Sequence, residues 1–206
     1  LHPLVLVGVA LGALSYLLDP YAGSAQTVAA GRFMLALAMG LLVIPTWPMP
    51  NRWTDTHPFN GPCWSLFQEY CGNLAYAFVL RRLPTRWLGL VALGFAMPLA
   101  WAALTYGTLD LGSAWESWQG APLRMGFSFT AGLWLFRVRD QISLPQLGFL
   151  PLSAVLSLLV ICPLWPELGG IKLNGAYEAA CVIVAFPLII LAGAHSAAGR
   201  GLDALC

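Results

Sequence analysis

Charged residues are scarce in this sequence: only 9% of its 206 residues are Asp, Glu, Lys or Arg. A soluble globular domain carries about 25%. The shortage excludes an ordinary soluble domain, and the hydrophobic content of 59% indicates that much of the chain avoids water. The formal net charge of +1 gives no basic surface for nucleic acid, so we expect no nucleic-acid partner.

Metal-binding and phosphate-binding motifs are also lacking. The sequence has five Cys and three His, and none of them shows a CxxC or Cys/His ligand spacing. We therefore predict no metal site and no bound cofactor, and we interpret the cysteines as small apolar filler residues. No P-loop, GxGxxG, HExxH or nucleophile-elbow motif occurs, which excludes the enzyme classes that depend on them.

Long apolar runs are what the sequence does contain. They lie near residues 4–18, 28–45, 62–80, 87–106, 121–137, 149–165 and 176–194. A helix that crosses the hydrocarbon core of a bilayer needs roughly 20 residues, so most of these runs are long enough. Pro and Gly cluster between the runs, which predicts loops there. The pattern predicts an all-α polytopic integral membrane helix bundle, forming a single domain over residues 1–206, with the lipid bilayer as a partner.

Arginine placement predicts an orientation in the membrane. If the seven runs alternate in direction, six arginines fall on one side: Arg81, Arg82, Arg86, Arg137, Arg139 and Arg200. The positive-inside rule makes that side cytoplasmic. A re-entrant or non-spanning segment at 28–45 would change the alternation. The first three arginines could also attract the phosphates of CoA, but a topogenic role is the simpler interpretation.

A polar stripe runs along the third apolar segment. Ser65, Glu69, Gly72/Asn73 and Tyr76 recur at steps of three or four residues, so on a helix they share one face, and Gln68 borders it. Polar side chains in membrane helices are costly and usually face the bundle interior or a wet cavity. We therefore expect this face to point inward. The alternative for Ser65, Asn73 and Tyr76 is that they only hold neighbouring helices together.

Glu69 is the residue that we expect to carry chemistry. It follows Pro62 by seven positions, which places it roughly 10 Å deeper along a helix. Desolvation there should raise the pKa of its carboxyl group unless a cation is close. Such a group is a candidate general acid or base, or an acceptor that positions a substrate hydroxyl.

The segment that holds this stripe resembles a known family motif. "NGPCWSLFQEYCGNLAYAF" (60–78) is similar to the N-x-P-x-W-S-L-x-x-E motif of the membrane acyltransferase 3 family. Three weaker resemblances follow the family order: the opening "LHP", "RMGFSFTAGLWLFR" (124–137) and "NGAYEAACVIVAFPLIILAGA" (174–194). The resemblance covers nearly the whole chain.

This resemblance implies an enzyme of the cell inner membrane that crosses the bilayer several times. The family transfers acyl groups, often acetyl, from acyl-CoA to a hydroxyl of a surface glycan or a similar small acceptor. It implies Glu69 and Ser65 as catalytic residues. The family's catalytic His, in an R-x10-H motif, has no counterpart in this sequence. We therefore expect an internal fragment, incomplete at both ends and inactive alone.

Four further residues are candidates for substrate binding. Asn60 and Trp64 belong to the motif and could line the acceptor site, although a membrane-interface role explains Trp64 equally well. His57 could bind acceptor or act as a base, but a solvated loop histidine is the simpler expectation. Arg124 could pair with Glu69 or bind an anionic acceptor, or it could extend to the membrane interface. Asn73 and Tyr76 complete the set of predicted substrate-binding residues.

Two functions from other classes remain open on the sequence alone. A polar stripe within a bundle could line the substrate path of a permease or flippase. No pair of Gly/Pro-broken helices in matching halves supports an inverted repeat, however. In a structural membrane subunit, the same stripe would only bind a partner helix. Dependence on acyl-CoA separates the acyltransferase from both alternatives.

Overall fold

The computed structural model describes residues 2–19, 28–142, 147–161, 167–168 and 171–194, and these are mostly helical. The helices are α1 (His2–Leu17), α2 (Ala30–Leu41), α3 (Cys63–Phe78), α4 (Thr85–Tyr106), α5 (Gly120–Val138), α6 (Phe149–Ile161), α7 (Leu173–Ala180) and α8 (Phe186–Ala194). A π-helical turn, Cys181–Ala185, joins α7 to α8. Two short strands, β1 (Glu167–Leu168) and β2 (Ile171–Lys172), pair antiparallel.

The all-α prediction is confirmed, and each of the seven predicted apolar segments coincides with a helix. The ends agree closely for α4, predicted at 87–106, and for α5, predicted at 121–137. The segment predicted at 149–165 corresponds to α6, which ends at Ile161, and residues 162–166 lie outside the described part of the chain.

Two helices are long and apolar enough to cross a membrane by length and composition, Thr85–Tyr106 and Leu173–Ala194. The segment predicted at 28–45 contains a helix of only 12 residues. At about 1.5 Å per residue this helix is roughly 18 Å long, which is short of a hydrocarbon core of about 30 Å. The structure therefore favours the non-spanning alternative for this segment, while the number of crossings stays a prediction.

Large apolar side chains are exposed along several helices. On α1, Leu4, Leu11 and Leu17 are each more than half exposed, and on α6 the same holds for Leu158 and Ile161. A soluble protein rarely leaves such a large apolar surface in contact with water. Lipid contact is the ordinary explanation, so this surface supports a membrane location.

The chain forms two compact units. Unit 1 comprises Leu1–Ala77 and Asp110–Met125, and unit 2 comprises Phe78–Leu109 and Gly126–Cys206. In unit 1, α1 and α2 pack around Phe59, whose ring lies 5.8 Å from that of Tyr16 and 5.3 Å from that of Phe33. Gly12 permits this packing, because a Cβ there would collide with the carbonyl group of Phe59.

Loop segments of unit 1 are tied together by hydrogen bonds between distant parts of the sequence. The Thr46 N–H donates to the Thr56 carbonyl at 2.8 Å, and the Thr56 N–H donates to the Ser113 carbonyl at 2.9 Å. The indole of Trp115 donates to the Thr46 carbonyl at 2.7 Å. These bonds fix the loop that leads into α3.

In unit 2, α5 and α7 run antiparallel to α4 and contact its two ends. Arg137, at the end of α5, donates to the carbonyls of Leu80 and Leu83, just before α4. Lys172, just before α7, donates to the Thr105 carbonyl at the other end of α4. Gly175 allows α7 to approach α4, because a Cβ there would collide with the Ala103 carbonyl.

Proline explains the π-helical turn in unit 2. Pro187 has no N–H for the carbonyl of Ile183, four residues earlier, and its ring crowds that carbonyl. The helix widens into the π turn at Cys181–Ala185, just before this proline.

Candidate functional site

The predicted motif begins in a backbone-bonded turn that starts α3. The N–H groups of Cys63, Trp64 and Ser65 donate to the carbonyls three residues earlier, at 2.9, 3.2 and 3.3 Å. The Ser65 hydroxyl donates to the Pro62 carbonyl at 2.9 Å. The first backbone N–H groups of α3 are therefore bonded within the turn itself.

The polar stripe of α3 lies on the exposed side of the helix. Ser65, Glu69, Asn73 and Tyr76 are all exposed, whereas the buried positions of α3 are Cys63, Gln68 and Gly72. The expectation that this face points inward is therefore not met within the described part of the chain. On a helix Gly72 and Gln68 lie along one edge of the stripe, so α3 is buried along that edge and at Cys63, while the polar side chains of the stripe stay exposed.

Glu69 presents its carboxylate to the surroundings. No hydrogen bond or ion pair to this carboxylate occurs among the described residues, and only its backbone carbonyl is engaged, accepting from the Asn73 amide at 3.0 Å. The Glu69 side chain is exposed among the described residues, and the desolvation of its carboxyl group stays a prediction. The carboxylate is thus available to accept a hydrogen bond from a substrate.

Ser65 and Asn73 use their polar atoms on the backbone of α3 and its preceding turn. Both bonds are local to α3 and its preceding turn, so they do not support the alternative in which the two residues join neighbouring helices. Tyr76 is exposed near the end of the same helix. The structure places the three residues on one face with Glu69, as the spacing predicts.

Trp64 and Arg124 are brought together. The guanidinium of Arg124 lies 4.9 Å from the centre of the Trp64 ring, and it donates to the Leu111 carbonyl at 2.7 Å. A planar cation on an indole face is a favourable cation–π arrangement. Arg124 is therefore held in unit 1 by a ring and a carbonyl, and the pair forms a half-buried aromatic and cationic surface.

His57 is buried, with only 3% of its surface exposed, so the expectation of a solvated loop histidine is wrong. Its Nδ1 lies 3.0 Å from the Thr56 hydroxyl, which donates to the Ser113 carbonyl at 2.9 Å. That hydroxyl has one proton to share between His57 Nδ1 and the Ser113 carbonyl, and the Val43 carbonyl beside Nε2 can only accept.

Burial lowers the pKa of His57, and the Val43 carbonyl, 3.5 Å from Nε2, opposes this in part. The imidazole is consequently neutral at pH 7. Asp55, two residues earlier, shows the opposite effect, since burial raises the pKa of its carboxyl group. The loop before α3 therefore disfavours charge on both side chains.

Val43 is held in a strained backbone conformation beside His57. Its φ of 59° lies in the left-handed region, which a β-branched residue rarely adopts. Such a residue costs on the order of 1–3 kcal/mol and needs support from its surroundings. Here Val43 is almost fully buried, and its carbonyl is directed at His57 Nε2.

A small cavity adjoins this histidine. It is lined by His57, Asn60, Thr46, Cys63 and Phe59, with further apolar residues of α1 and α2. Its volume of about 10 Å³ is at the lower limit of what one water molecule needs. A substrate does not fit there in this conformation, so His57 and Asn60 are assembled in a closed pocket while Glu69 is open.

Sequence reasoning missed Thr46, Thr56 and Val43. Thr46 and Thr56 are buried polar residues whose partners lie up to 69 positions away along the chain. The local pattern "TDTHP" gives no signal for such pairing, because it reads as an ordinary polar loop. Among the described residues, no group of three or more His, Cys, Asp or Glu is placed to hold a metal ion.

Glu178, in unit 2, has a different environment from Glu69. Its carboxylate accepts hydrogen bonds from the Leu109 N–H, the Asn174 amide and the Thr108 hydroxyl. The three donors tie the start of α7 to the turn that follows α4. This carboxylate is occupied by the fold itself, which indicates a structural role.

The comparison with family models identifies the chain. A model described as an acyltransferase domain, that of the acyltransferase 3 family, matches residues 2–205. The chain therefore belongs to this family, whose members are membrane proteins. No curated protein and no solved structure matches the chain. The resemblance inferred from the motif around Glu69 is confirmed.

Proposed function

We propose that the protein is a multi-pass inner-membrane O-acyltransferase. It moves an acyl group, acetyl in the first instance, from acyl-CoA to a hydroxyl of a surface glycan or a similar small acceptor. The match to the acyltransferase family over residues 2–205 is the observation that carries this proposal. The exposed Glu69 carboxylate, within the family-like motif, supplies the group that such chemistry needs.

The reaction needs a base, an electrophile and a leaving group. Glu69 accepts the proton of the acceptor hydroxyl, and the oxygen attacks the thioester carbonyl of the donor. The tetrahedral intermediate collapses by breaking the carbon–sulfur bond, which releases CoA as a thiolate. The proton held by Glu69 is then returned to the sulfur or to solvent. The products are the acyl ester and CoA, and no external oxidant or metal is required.

The neighbouring residues of the motif position the acceptor in this proposal. The Trp64–Arg124 surface offers a ring for a sugar face and a cation for an anionic acceptor. Asn73 and Tyr76 lie on the same face as Glu69 and can bond to acceptor hydroxyls. Ser65 fixes the start of α3 through the Pro62 carbonyl, which favours a positioning role for this predicted catalytic residue.

Orientation follows from the arginines of unit 2. Arg81, Arg82 and Arg86 precede or begin α4, and Arg137 contacts the same turn from the end of α5. We propose that this basic end is cytoplasmic. A non-spanning α2 then places the beginning of α1 on the cytoplasmic side as well.

Membrane vesicles carrying the natural protein that contains this sequence provide the test. Acetyl-CoA labelled in its acetyl group is added with endogenous glycan, and label in the glycan ester is measured. The proposal predicts label that depends on the protein and is released by mild base, as an ester should be. Movement of unmodified glycan across the vesicle without acyl-CoA would instead establish a permease.

A donor series sharpens this experiment. Acetyl-, propionyl- and longer acyl-CoA are compared at equal concentration, with free acetate and CoA as the matched control. Free acetate has no activated carbonyl, so it should give no ester. If none of the thioesters gives an ester while the protein is folded and in the membrane, the acyl-CoA donor is wrong.

A further inference from the structure

Unit 2 contains an apolar groove between α4, α5 and the helix Leu173–Ala194. Its volume is about 350 Å³, within the range of about 300–1,000 Å³ typical of ligand sites. The groove is lined by Arg86, Gly89, Leu90, Ala92, Leu93, Ala96, Phe127, Ala131, Trp134, Leu135, Ile183 and Pro187. None of these residues belongs to the site around Glu69.

Small side chains create the groove. Gly89, Ala92 and Ala96 recur along one face of α4, and Ala131 lies on the facing side of α5. Helices with such small residues leave a gap unless larger neighbours fill it. The Trp134 indole lies directly against Gly89, where a Cβ would come within 2.8 Å of its Nε1, and so closes one part of the wall.

The lining selects the chemistry of an occupant. Apart from the guanidinium of Arg86 and the indole N–H of Trp134, the lining side chains are hydrocarbon or aromatic. An unpaired amide or hydroxyl buried in such a groove loses its hydrogen bonds to water without replacement. This disfavours a sugar or the amide-rich arm of CoA, and it favours an alkyl chain with an anionic group at the Arg86 end.

The length of the groove matches one leaflet of a bilayer. From Arg86 to Ala96 the groove follows ten residues of α4, or roughly 15 Å, which is half of a hydrocarbon core of about 30 Å. Two of its walls, α4 and the helix Leu173–Ala194, are the two helices that qualify as membrane-spanning. An acetyl group would fill only a small part of this length.

The charge at the mouth complements a phosphate. Arg86 lies in the first turn of α4, and Arg81 and Arg82 precede it in an exposed turn. Arg139 at the end of α5 lies 3.6 Å from Asp140, the acidic residue of that connection. Basic residues at the membrane surface of a helix pair attract anionic lipid headgroups, by about 1 kcal/mol for each charge.

We propose that this groove binds one acyl chain of an anionic phospholipid, with the lipid phosphate on Arg86. The lipid would come from the leaflet at the basic end of unit 2. It would fill the gap that the small residues of α4 and α5 leave. Binding of this lipid is independent of acyl transfer, so a failure of the proposed enzymatic function would not refute the lipid site.

Fluorescence quenching in nanodiscs tests the proposal, because Trp134 lines the groove. The protein is reconstituted with phosphatidylcholine, and a small fraction of phosphatidylglycerol with brominated acyl chains is added. The Trp134 contribution is obtained by subtracting the Trp134→Phe variant. Brominated phosphatidylglycerol should quench Trp134 about fivefold more effectively, at equal mole fraction, than brominated phosphatidylcholine.

Two matched pairs of variants test whether the preference for phosphatidylglycerol arises in the groove. Arg86→Gln should abolish the preference for phosphatidylglycerol, whereas Arg81→Gln, which removes the same charge outside the groove, should keep most of it. Ala96→Leu adds bulk inside the groove and should weaken quenching, whereas Gly94→Leu adds bulk where a Cβ meets only open space. If Ala96→Leu does not fold, the comparison of Arg86→Gln with Arg81→Gln still tests the proposal.

Three outcomes would overturn the proposal. The first is equal quenching of Trp134 by the two brominated lipids. The second is an equal loss of the preference for phosphatidylglycerol in Arg86→Gln and Arg81→Gln. The third is displacement of the brominated lipid by micromolar acetyl-CoA, which would make the groove a donor site. Retained preference in Arg81→Gln together with its loss in Arg86→Gln would establish the lipid site.

Discussion

Two glutamates, one in each unit, have opposite environments. In unit 2, Glu178 accepts hydrogen bonds from three donors on two parts of the chain, so its carboxylate is consumed by the fold. In unit 1, Glu69 is exposed, and no described residue bonds to its carboxylate. Both residues lie within apolar helices of the sequence, where a polar residue alone would suggest function.

The presence of a polar residue in an apolar helix does not by itself indicate its role. The hydrogen bonds that its side chain makes are more informative. A saturated carboxylate stabilises the connection between helices, whereas an unengaged one can act on a substrate.

The largest expected effect is on catalysis by Glu69→Gln. Loss of a general base typically costs 10²- to 10⁴-fold, so we expect acyl transfer to fall by about that factor. The free energy of unfolding should change by less than about 0.5 kcal/mol, because the side chain is exposed. Labelled-acetyl transfer and thermal unfolding are measured on the same preparation.

Glu116→Gln is the matched control for this variant. It makes the same chemical change in an exposed carboxylate of unit 1, which accepts a hydrogen bond from Thr54. Transfer should stay within about threefold of wild type, as for other surface changes away from the site. Full activity of Glu69→Gln would remove the contrast between the two units and leave Glu69 without a catalytic role.

The second effect is on stability, through Glu178→Ala. This change leaves the Leu109 N–H and the Asn174 amide without their carboxylate, at about 1–3 kcal/mol for each unsatisfied group. We expect the free energy of unfolding to fall by about 2–4 kcal/mol, with transfer per folded molecule unchanged. A variant of wild-type stability that lacks activity would show that Glu178 also acts in catalysis.

The third effect is a pH dependence of stability caused by His57. Its folded pKa lies below its unfolded value of about 6.5, so the unfolded chain binds a proton that the folded chain does not. The stabilisation of the folded protein by the neutral imidazole is therefore fully present above the unfolded pKa. It is lost as the pH falls below that pKa. The loss is at most about 1.4 kcal/mol per pH unit.

Thermal unfolding at pH 7.5 and 5.5 measures this dependence. His57→Asn keeps a polar group near Thr56 but cannot take up a proton. Its stability should therefore decrease less between pH 7.5 and 5.5 than that of the wild type. His2→Asn serves as the control, because His2 is exposed at the start of α1. An identical pH dependence in wild type and His57→Asn would contradict the prediction.

The sequence predicts the helices well and the loops poorly, for physical reasons. An apolar run bounded by Pro and Gly sets the ends of α4 and α5 locally, so their bounds can be read from the chain alone. The conformation around His57 depends instead on Thr46, Thr56 and Ser113 meeting across the fold. No local preference encodes such a meeting, which is why His57 was expected in solvent.

The candidate site divides in the same way. Helical periodicity correctly places Ser65, Glu69 and Asn73 on one face, since that depends only on the backbone repeat. It does not determine which face of α3 is buried, because packing at Cys63, Gln68 and Gly72 decides this. Gln68 and Gly72, which border the stripe, are buried while the stripe itself is exposed, so the inward face is displaced around the helix from the predicted one.

A smaller effect is expected for Arg124→Lys. Lysine keeps the charge but loses the planar stacking on Trp64, and it cannot reproduce the geometry of the bond to Leu111. We expect a loss of about 1 kcal/mol in the free energy of unfolding. Arg139→Lys is the control from unit 2, where the guanidinium also lies over a ring, that of Phe136, but is more exposed. An equal loss in both variants would mean that burial adds nothing to the Trp64 contact.

The smallest effect is expected for Ser65→Ala, and it separates two roles for this residue. The hydroxyl proton is already donated to the Pro62 carbonyl at an exposed helix start, so the side chain acts on the backbone. Its removal should change transfer by no more than about threefold and stability by about 0.5 kcal/mol. A nucleophile that carries the acyl group would instead lose activity by a factor comparable to Glu69→Gln. Trapping labelled acetyl on wild-type protein, but not on Ser65→Ala, would establish that covalent route and make Ser65 a second exposed catalytic group on α3.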